Sequence, residues 1–433
     1  MAVSGGSGKR PWLVDVEKTL DEADASVEVS QWQRHSIYRV PACIKDLKPR
    51  AYRPQVVSLG PLHHGDPELV PMEEHKRRAL RHLFRRANQP LEAFAAAVEE
   101  VVEQLQSAYL DIDDRWRGEE GRERFLEIMI MDGCFLLEVM RAASLDGRRR
   151  STAGDYAPND PIFSHHGVLY MVPYIRRDML ILENQVPLLL LEKLLAVETG
   201  KPPTGGSLIR LHPLDVRRRS LLYGYYQALR WDYWDQPETD IIRPAVELRE
   251  AGILFKRANS DSLHNIRFRN GVLTMPAVTV DNSTEHMFLN MMAFERLHVG
   301  AGNGVTDFVF FMDSIIKSSK DVALLSSYGI IQNAVGSDEA VVRLFASISK
   351  DVVLERESAL EAVRRTVNAY CNKPWNKWRA NIIHNYFRSP TSFLNFLAAV
   401  TALIMTVIQT AYTIMAFYNQ FSSTAQPEAP APM

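Results

Sequence analysis

LEAFAAAVEEVVEQLQSAYL, Leu91 to Leu110, sets Leu91, Phe94, Ala95, Val98, Val101, Val102, Leu105 and Tyr109 on one stripe. Apolar residues three and four apart mark a helix with one buried face, because a turn takes 3.6 residues. Pro90 stands immediately before it, where its missing N–H costs nothing. The same period recurs in RERFLEIMIMDGCFLLEVMRAA from Arg122, through Phe125, Ile128, Met129, Phe135, Leu136 and Val139. Helices are also expected over residues 338–349 and 352–370. One stretch reads differently. NIRFRNGVLTMPAVTV, from Asn265, alternates Ile266 and Phe268 with Arg267 and Arg269, then turns at Asn270-Gly271. Asn-Gly suits a type I′ turn, which needs positive φ at both central residues, so a β-hairpin is expected here. No βαβ alternation and no internal repeat is visible. The expected fold is mainly α: one large helical domain over residues 31–388 with a small hairpin.

The chain has 433 residues, 46% hydrophobic and 24% charged, with a net charge of −2. That composition folds, and its charge balance gives no reason to expect nucleic acid. Cys43, Cys134 and Cys371 are far apart, so neither a disulfide framework nor a zinc knuckle is indicated. Residues 1–30 read as a flexible leader without the apolar run of a signal peptide. Their GGSGKR lacks the hydroxyl residue and preceding strand of a phosphate loop.

From Ser389 to Pro427 there is no charged residue. Phe393 to Tyr418, FLNFLAAVTALIMTVIQTAYTIMAFY, is long enough as a helix to cross a hydrocarbon core of about 30 Å. A transmembrane helix is therefore expected over 389–418, with a polar, Pro- and Ala-rich tail over 419–433. Lys373, Lys377, Arg379 and Arg388 precede the span and no Lys or Arg follows it. The positive-inside rule then leaves the large N-terminal part in the cytosol, as in a tail-anchored, single-pass protein. The membrane is a plasma membrane or an endomembrane. Asn282-Ser283-Thr284 pulls the other way, because a glycosylation sequon is useful only in a lumen. Ala398, Ala399, Ala402 and Thr406 supply small residues four apart, a pattern compatible with a homodimer through the span.

Arg176 to Val197, RRDMLILENQVPLLLLEKLLAV, reads as a buried helix interrupted by Glu183, Asn184 and Gln185. Pro187 lacks an N–H and crowds the carbonyl of Glu183, so a kink or break is expected there. Asn184 and Gln185 can then bond the freed backbone groups.

LGPLHHGDPELVPMEEHK, from Leu59, gathers three histidines, an aspartate and three glutamates. Pro71 can open a helix here. Glu73 and Glu74 stand near its positive end, and a run of Lys and Arg follows toward its negative end. Met72, Ala79, Leu80, Leu83 and Ala87 fall on one face, with Arg77, Arg78, Arg81 and Arg85 opposite. His63, His64 and His75 lack the fixed offsets of a zinc site such as HExxH. A second HHG occurs at His165-His166-Gly167. His63, His64, His165 and His166 are the metal candidates if the fold brings the two pairs together. No GxSxG, phosphate-loop or kinase motif is present, so no catalytic residue is assigned and no cofactor is expected. GAGNG, Gly300 to Gly304, reads as a loop.

These blocks together resemble the plant domain-of-unknown-function family 247, also catalogued as uncharacterised protein family 0481. The resemblance rests on IYRVPACIKDL from Ile37, VVSLGPLHHGDPELVPMEEHKRR from Val56, MDGCFLLEVMR from Met131 and DMLILENQVPLLLLEKL from Asp178. FRNGVLTMPAVTVDNSTEHMFLNMMAFE from Phe268, MDSIIKSSKDVALLSSYGII from Met312 and WNKWRANIIHNYF from Trp375 complete it. It implies a long helical domain with a C-terminal membrane helix, and no established activity or cofactor. Some grass members are implicated in pollen self-incompatibility, a role that requires an outward-facing domain.

The expected function is that of a membrane-anchored, non-enzymatic protein that recognises another protein. Two alternatives stand beside it. One is a membrane-bound hydrolase or metalloenzyme using the HHG pairs. The other is a cytosol-facing, tail-anchored scaffold or stress-response factor. Its binding surface would include Trp231, Tyr233 and Trp234 in LRWDYWDQ, residues of the kind that anchor interfaces.

Overall fold

Helices build most of the computed structural model, 63% of it, and the small sheets are packed against them. The described residues are 10, 12–13, 34–144, 156–201, 211–223, 242–350, 359–386 and 390–424. Helix α1 spans Ala42–Lys45 and α2 Pro71–Ala87, followed by α3 Leu91–Glu99, α4 Val102–Ser107 and the long α5, Gly118–Ser144. Helices α6 His165–Tyr170, α7 Val172–Asp178 and α8 Leu188–Thr199 close this part of the chain.

The stripe beginning at Leu91 is buried at Phe94, Val98, Val101, Val102, Leu105 and Tyr109, but two helices carry it. The chain leaves helical geometry at Val101, whose φ is −117° and ψ 9°. The break lets the neighbouring side chains of Val101 and Val102 both turn inward, which an unbroken helix would splay about 100° apart. Helix α5 runs through the middle of this half with Phe125, Met129, Phe135, Leu136 and Val139 buried. Gly133 lets α8 lie close against it. A Cβ there would stand 2.4 Å from Leu194 Cδ1.

The second half holds α9 Pro213–Leu222, α10 Ala245–Glu250, α11 Thr284–Leu297, α12 Gly304–Ile315, α13 Ser319–Ser327, α14 Asp338–Ile348, α15 Ala359–Cys371 and α16 Pro374–Tyr386. The helix expected over 338–349 is α14, capped by Ser337 through the Ala340 N–H. Of the one expected over 352–370, residues 351–358 lie outside the described residues and the rest is α15.

The hairpin forms as expected. Strands β2 (Arg267–Arg269) and β3 (Val272–Met275) pair antiparallel around Asn270 at φ 50° and Gly271 at φ 78°. β1 (Leu254–Arg257) adds parallel to β3, giving the order β1-β3-β2, and β4 (Val278–Val280) pairs parallel with β5 (Ile331–Asn333). These parallel pairs are additions to the expected hairpin. Strands of three or four residues are too short to show a period in sequence.

Buried apolar side chains fall into two clusters. One takes Ile37, residues from Val57 to Val139, and Ile162 to Leu194. The other takes Tyr38, Val40, Ala51 and Tyr52, then Leu182, then residues from Leu214 to Cys371. The chain thus passes from one cluster to the other between Ile37 and Tyr38. Beyond both lies α17, Pro390–Thr424. Its stretch Thr391–Asn419 is 29 residues long with a mean hydropathy of 2.0 and none of it buried. It is long and apolar enough to cross a membrane.

Candidate functional site

The polar residues within the apolar run of α7 and α8 form a hub between the two clusters. No single helix runs through the segment. Helix α7 ends at Asp178, and α8 starts after Pro187, which sits in extended geometry at φ −61° and ψ 140° as the N-cap. Proline therefore ends the helix outright, as its missing N–H and its clash with a preceding carbonyl demand. The intervening turn carries Glu183, Asn184 and Gln185, all buried.

Each of these side chains is occupied by backbone. Asp178 Oδ2 accepts from the N–H groups of Gln55, Val56 and Val57 at 3.0, 2.6 and 3.0 Å. Asn184 Oδ1 accepts from Leu59 N at 2.7 Å, and its Nδ2 donates to the carbonyls of Val57 and Asp178. Gln185 Nε2 donates to the carbonyls of Met179 and Ile181, and its Oε1 accepts from Leu214 N. Asn184 and Gln185 thus satisfy the groups the broken helix frees, as the sequence leads one to expect. From the other cluster, Asn290 Oδ1 accepts from Leu182 N while its Nδ2 donates to the Ala51 and His286 carbonyls.

Glu183 receives the N–H of Val40 at 2.6 Å and the Lys45 ammonium at 2.7 Å, and His63 Nε2 lies 3.3 Å away. His63 Nε2 does not meet hydrogen-bond geometry, so it acts on the carboxylate as a close polar neighbour. Burial alone would push this carboxyl up. His63, Lys45 and the Val40 N–H outweigh it and leave it below its ordinary value. Asp178 goes the other way. Burial dominates its three N–H donors and raises it.

A second buried cluster lies beside the hub. Lys76 is fully buried, with Nζ 2.6 Å from Asp132 Oδ1, 2.7 Å from Glu73 and 3.2 Å from Ser58 Oγ. Asp132 also accepts from Gly60 N at 2.8 Å, and burial raises its carboxyl against the opposing pull of Lys76. Gly60 sits at φ +74°, and a Cβ there would meet the Gln185 carbonyl at 2.6 Å. Tyr109 donates to that same carbonyl. Further out, Glu138 is bound by Arg86, Arg141 and Tyr156.

The stretch Leu59–Lys76 therefore acts as a clamp. Its start, with Val57 just before it, is stitched to the turn, and α2 follows with Glu73 at one end and Lys76 within. Lys76 falls among Met72, Ala79 and Leu83 on the buried face. The four-residue step from Met72 and the three- and seven-residue steps to Ala79 and Leu83 were the signal for that placement.

The HHG pairs are engaged separately. His63 faces Glu183, and His64 meets Trp116 edge-on at 5.7 Å. His165 and His166 are exposed in the first turn of α6, which Ser164 caps, and His166 packs on Tyr170 at 4.6 Å. Among the described residues no group of three or more His, Cys, Asp or Glu side chains is placed to hold a metal ion. Trp231, Tyr233 and Trp234 lie outside the described residues. Asn282 is exposed after β4, whereas the Thr284 hydroxyl of its sequon is buried against Asp281.

A family model described as a plant protein of unknown function, DUF247, matches residues 37–211 and 205–405. The chain belongs to this family. The first matched segment covers one apolar cluster, the turn of the hub and the residues from Tyr38 to Tyr52 and Leu182 that belong to the other, and the second covers the remainder of that other cluster and enters α17. Among curated DUF247-type relatives, a UPF0481 protein of Arabidopsis thaliana is 30% identical over 92% of this chain and 90% of its own length. A second from the same plant is 22% identical over 95% and 96%. No solved structure matches significantly.

Proposed function

We propose that this protein is a membrane-anchored, non-enzymatic recognition protein whose helical body binds another protein. The observation that carries the reading is α17, which holds a 29-residue apolar stretch with none of it buried in the body. Its threonines suit lipid. Thr401, Thr406, Thr410 and Thr413 each donate to the carbonyl four residues back, so their hydroxyls need no water. The non-enzymatic part is supported by how the buried polar groups are used. Asp178, Glu183, Asn184, Gln185 and Asn290 hold backbone, and none is paired with a nucleophile facing a cleft. The Lys and Arg residues preceding α17 support a cytosolic body.

The test is extraction and topology together. The full chain is expected in the membrane pellet after alkaline carbonate treatment, and a chain ending before Pro390 in the supernatant. With a glycosylation site appended after Met433, modification of that site and not of Asn282 fixes the body as cytosolic. Modification of Asn282 instead would place it outward and make cell–cell recognition the better reading.

A further inference from the structure

The helix that precedes α17 carries an exposed apolar stripe that the body does not cover. In α16, Trp375 and Trp378 are 71% and 57% exposed, and their rings stand 5.2 Å apart. Ile382, half-buried, continues the line at the seven-residue step from Trp375. At about 100° per residue, these three lie within about 60° of one another. The opposite side of α16 faces the protein: Asn376 is buried and donates to the Tyr370 carbonyl, and Ala380 packs against the second cluster. So α16 is held by one face and offers two tryptophans on the other.

Its charge is as one-sided as its apolarity. From Ala362 to Pro427 the chain has no Asp or Glu, while Lys373, Lys377, Arg379 and Arg388 cluster around α16. Lys373 and Lys377 are exposed. Tryptophan is an amphipathic ring that settles at the headgroup level, and lysines there meet anionic lipid. Only residues 387–389 separate α16 from α17. A protein partner could also cover two tryptophans. The continuity with the span and the absence of any acid favour the bilayer surface.

We infer that α16 is an interfacial helix that seats Trp375 and Trp378 in the headgroup layer of an anionic leaflet, docking the body on the membrane. This rests on α17 crossing that membrane. It goes further, because a span alone leaves the body free to swing on its tether, whereas a seated α16 holds one face of it down.

The experiment uses the full chain reconstituted in phosphatidylcholine vesicles, with and without phosphatidylserine, and lipids brominated near the headgroup. Tryptophan fluorescence is compared between the parent and W375F/W378F. The parent is expected to show a lipid-quenched component that the double variant lacks. That component should grow with phosphatidylserine, and K373Q/K377Q should weaken the growth by about fivefold per lysine. Carbonate extraction of the same samples reports α17 independently. Carbonate-resistant protein with equal quenching in parent and W375F/W378F overturns the inference and leaves the anchor standing, the stripe then facing water or protein. Extractable protein overturns both.

Discussion

Replacing Lys76 by methionine tests how the interior of the first half is held. Methionine keeps most of the stem but removes an ammonium that lies 2.6 Å from Asp132, 2.7 Å from Glu73 and 3.2 Å from Ser58. Asp132 is left with the Gly60 N–H as its partner. Breaking a buried ion pair from one side costs about 3–5 kcal/mol, because the remaining charge is stranded out of water. Asp132 has one escape, which is to take up a proton, and burial already pushes it that way. The penalty should therefore depend on pH. It shrinks as the pH is lowered, by about 1.4 kcal/mol per pH unit over the range in which the carboxyl is neutral in K76M and still ionised in the parent. Urea unfolding of the detergent-solubilised full chain, followed by circular dichroism, measures it at two pH values. The double variant K76M/D132N no longer strands the fully buried Asp132 charge, leaves only the partly exposed Glu73 without its ammonium and still offers Gly60 an acceptor, so it should recover most of the loss. A K76M protein within about 1 kcal/mol of the parent at neutral pH would refute the reasoning. So would a penalty that stays constant as the pH is lowered.

Other perturbations should follow the same logic. Asn184→Ala frees the Leu59 N–H and the Val57 and Asp178 carbonyls in a dry interior, and a loss of about 3 kcal/mol is expected from the same unfolding assay. Gly133→Ala should cost about 1–3 kcal/mol by pushing α5 and α8 apart, read as a lower thermal midpoint. His212 is fully buried, and burial lowers it from 6.5 to about 4. An unfolded chain then binds the proton more readily, so about 3 kcal/mol of stability is present above pH 6.5 and lost as the pH falls toward 4. His212→Gln should flatten that limb of the stability–pH curve.

Much of the architecture was legible because it is written in period and punctuation. The 3.6-residue stripe located the helices, Asn270-Gly271 the hairpin, and Pro187 the break between α7 and α8. What Asn184 and Gln185 do for the broken helix followed from their amide chemistry. Less legible was anything set by distant segments. The parallel pairing of β1 with β3 and of β4 with β5 brings together strands too short to announce themselves. The break at Val101 depends on what surrounds the helix, not on its own residues. Lys76 shows a different limit. It was read with the basic run of α2 although its spacing sets it in the apolar stripe, and the partner that makes it tolerable, Asp132, lies 56 positions on, within an equally apolar run of α5. The histidine pairs illustrate the reverse, since a dense local cluster of ligand-type residues was engaged one residue at a time.

The crossing of the chain between Ile37 and Tyr38 makes the two halves interdependent. Tyr38, Val40, Ala51 and Tyr52 belong to the apolar cluster formed mainly by residues after Leu214. Leu182 reaches into it as well, and the Ala51 carbonyl is a partner of Asn290. A fragment starting near residue 211 would lack part of its own interior, and one ending near residue 201 would present that part to water. Each fragment alone should be insoluble or molten, yet the two produced together should find each other and reassemble, since what is missing from one is displayed by the other. The family's two matched segments would then be complementary pieces of one interlocked body rather than exchangeable modules.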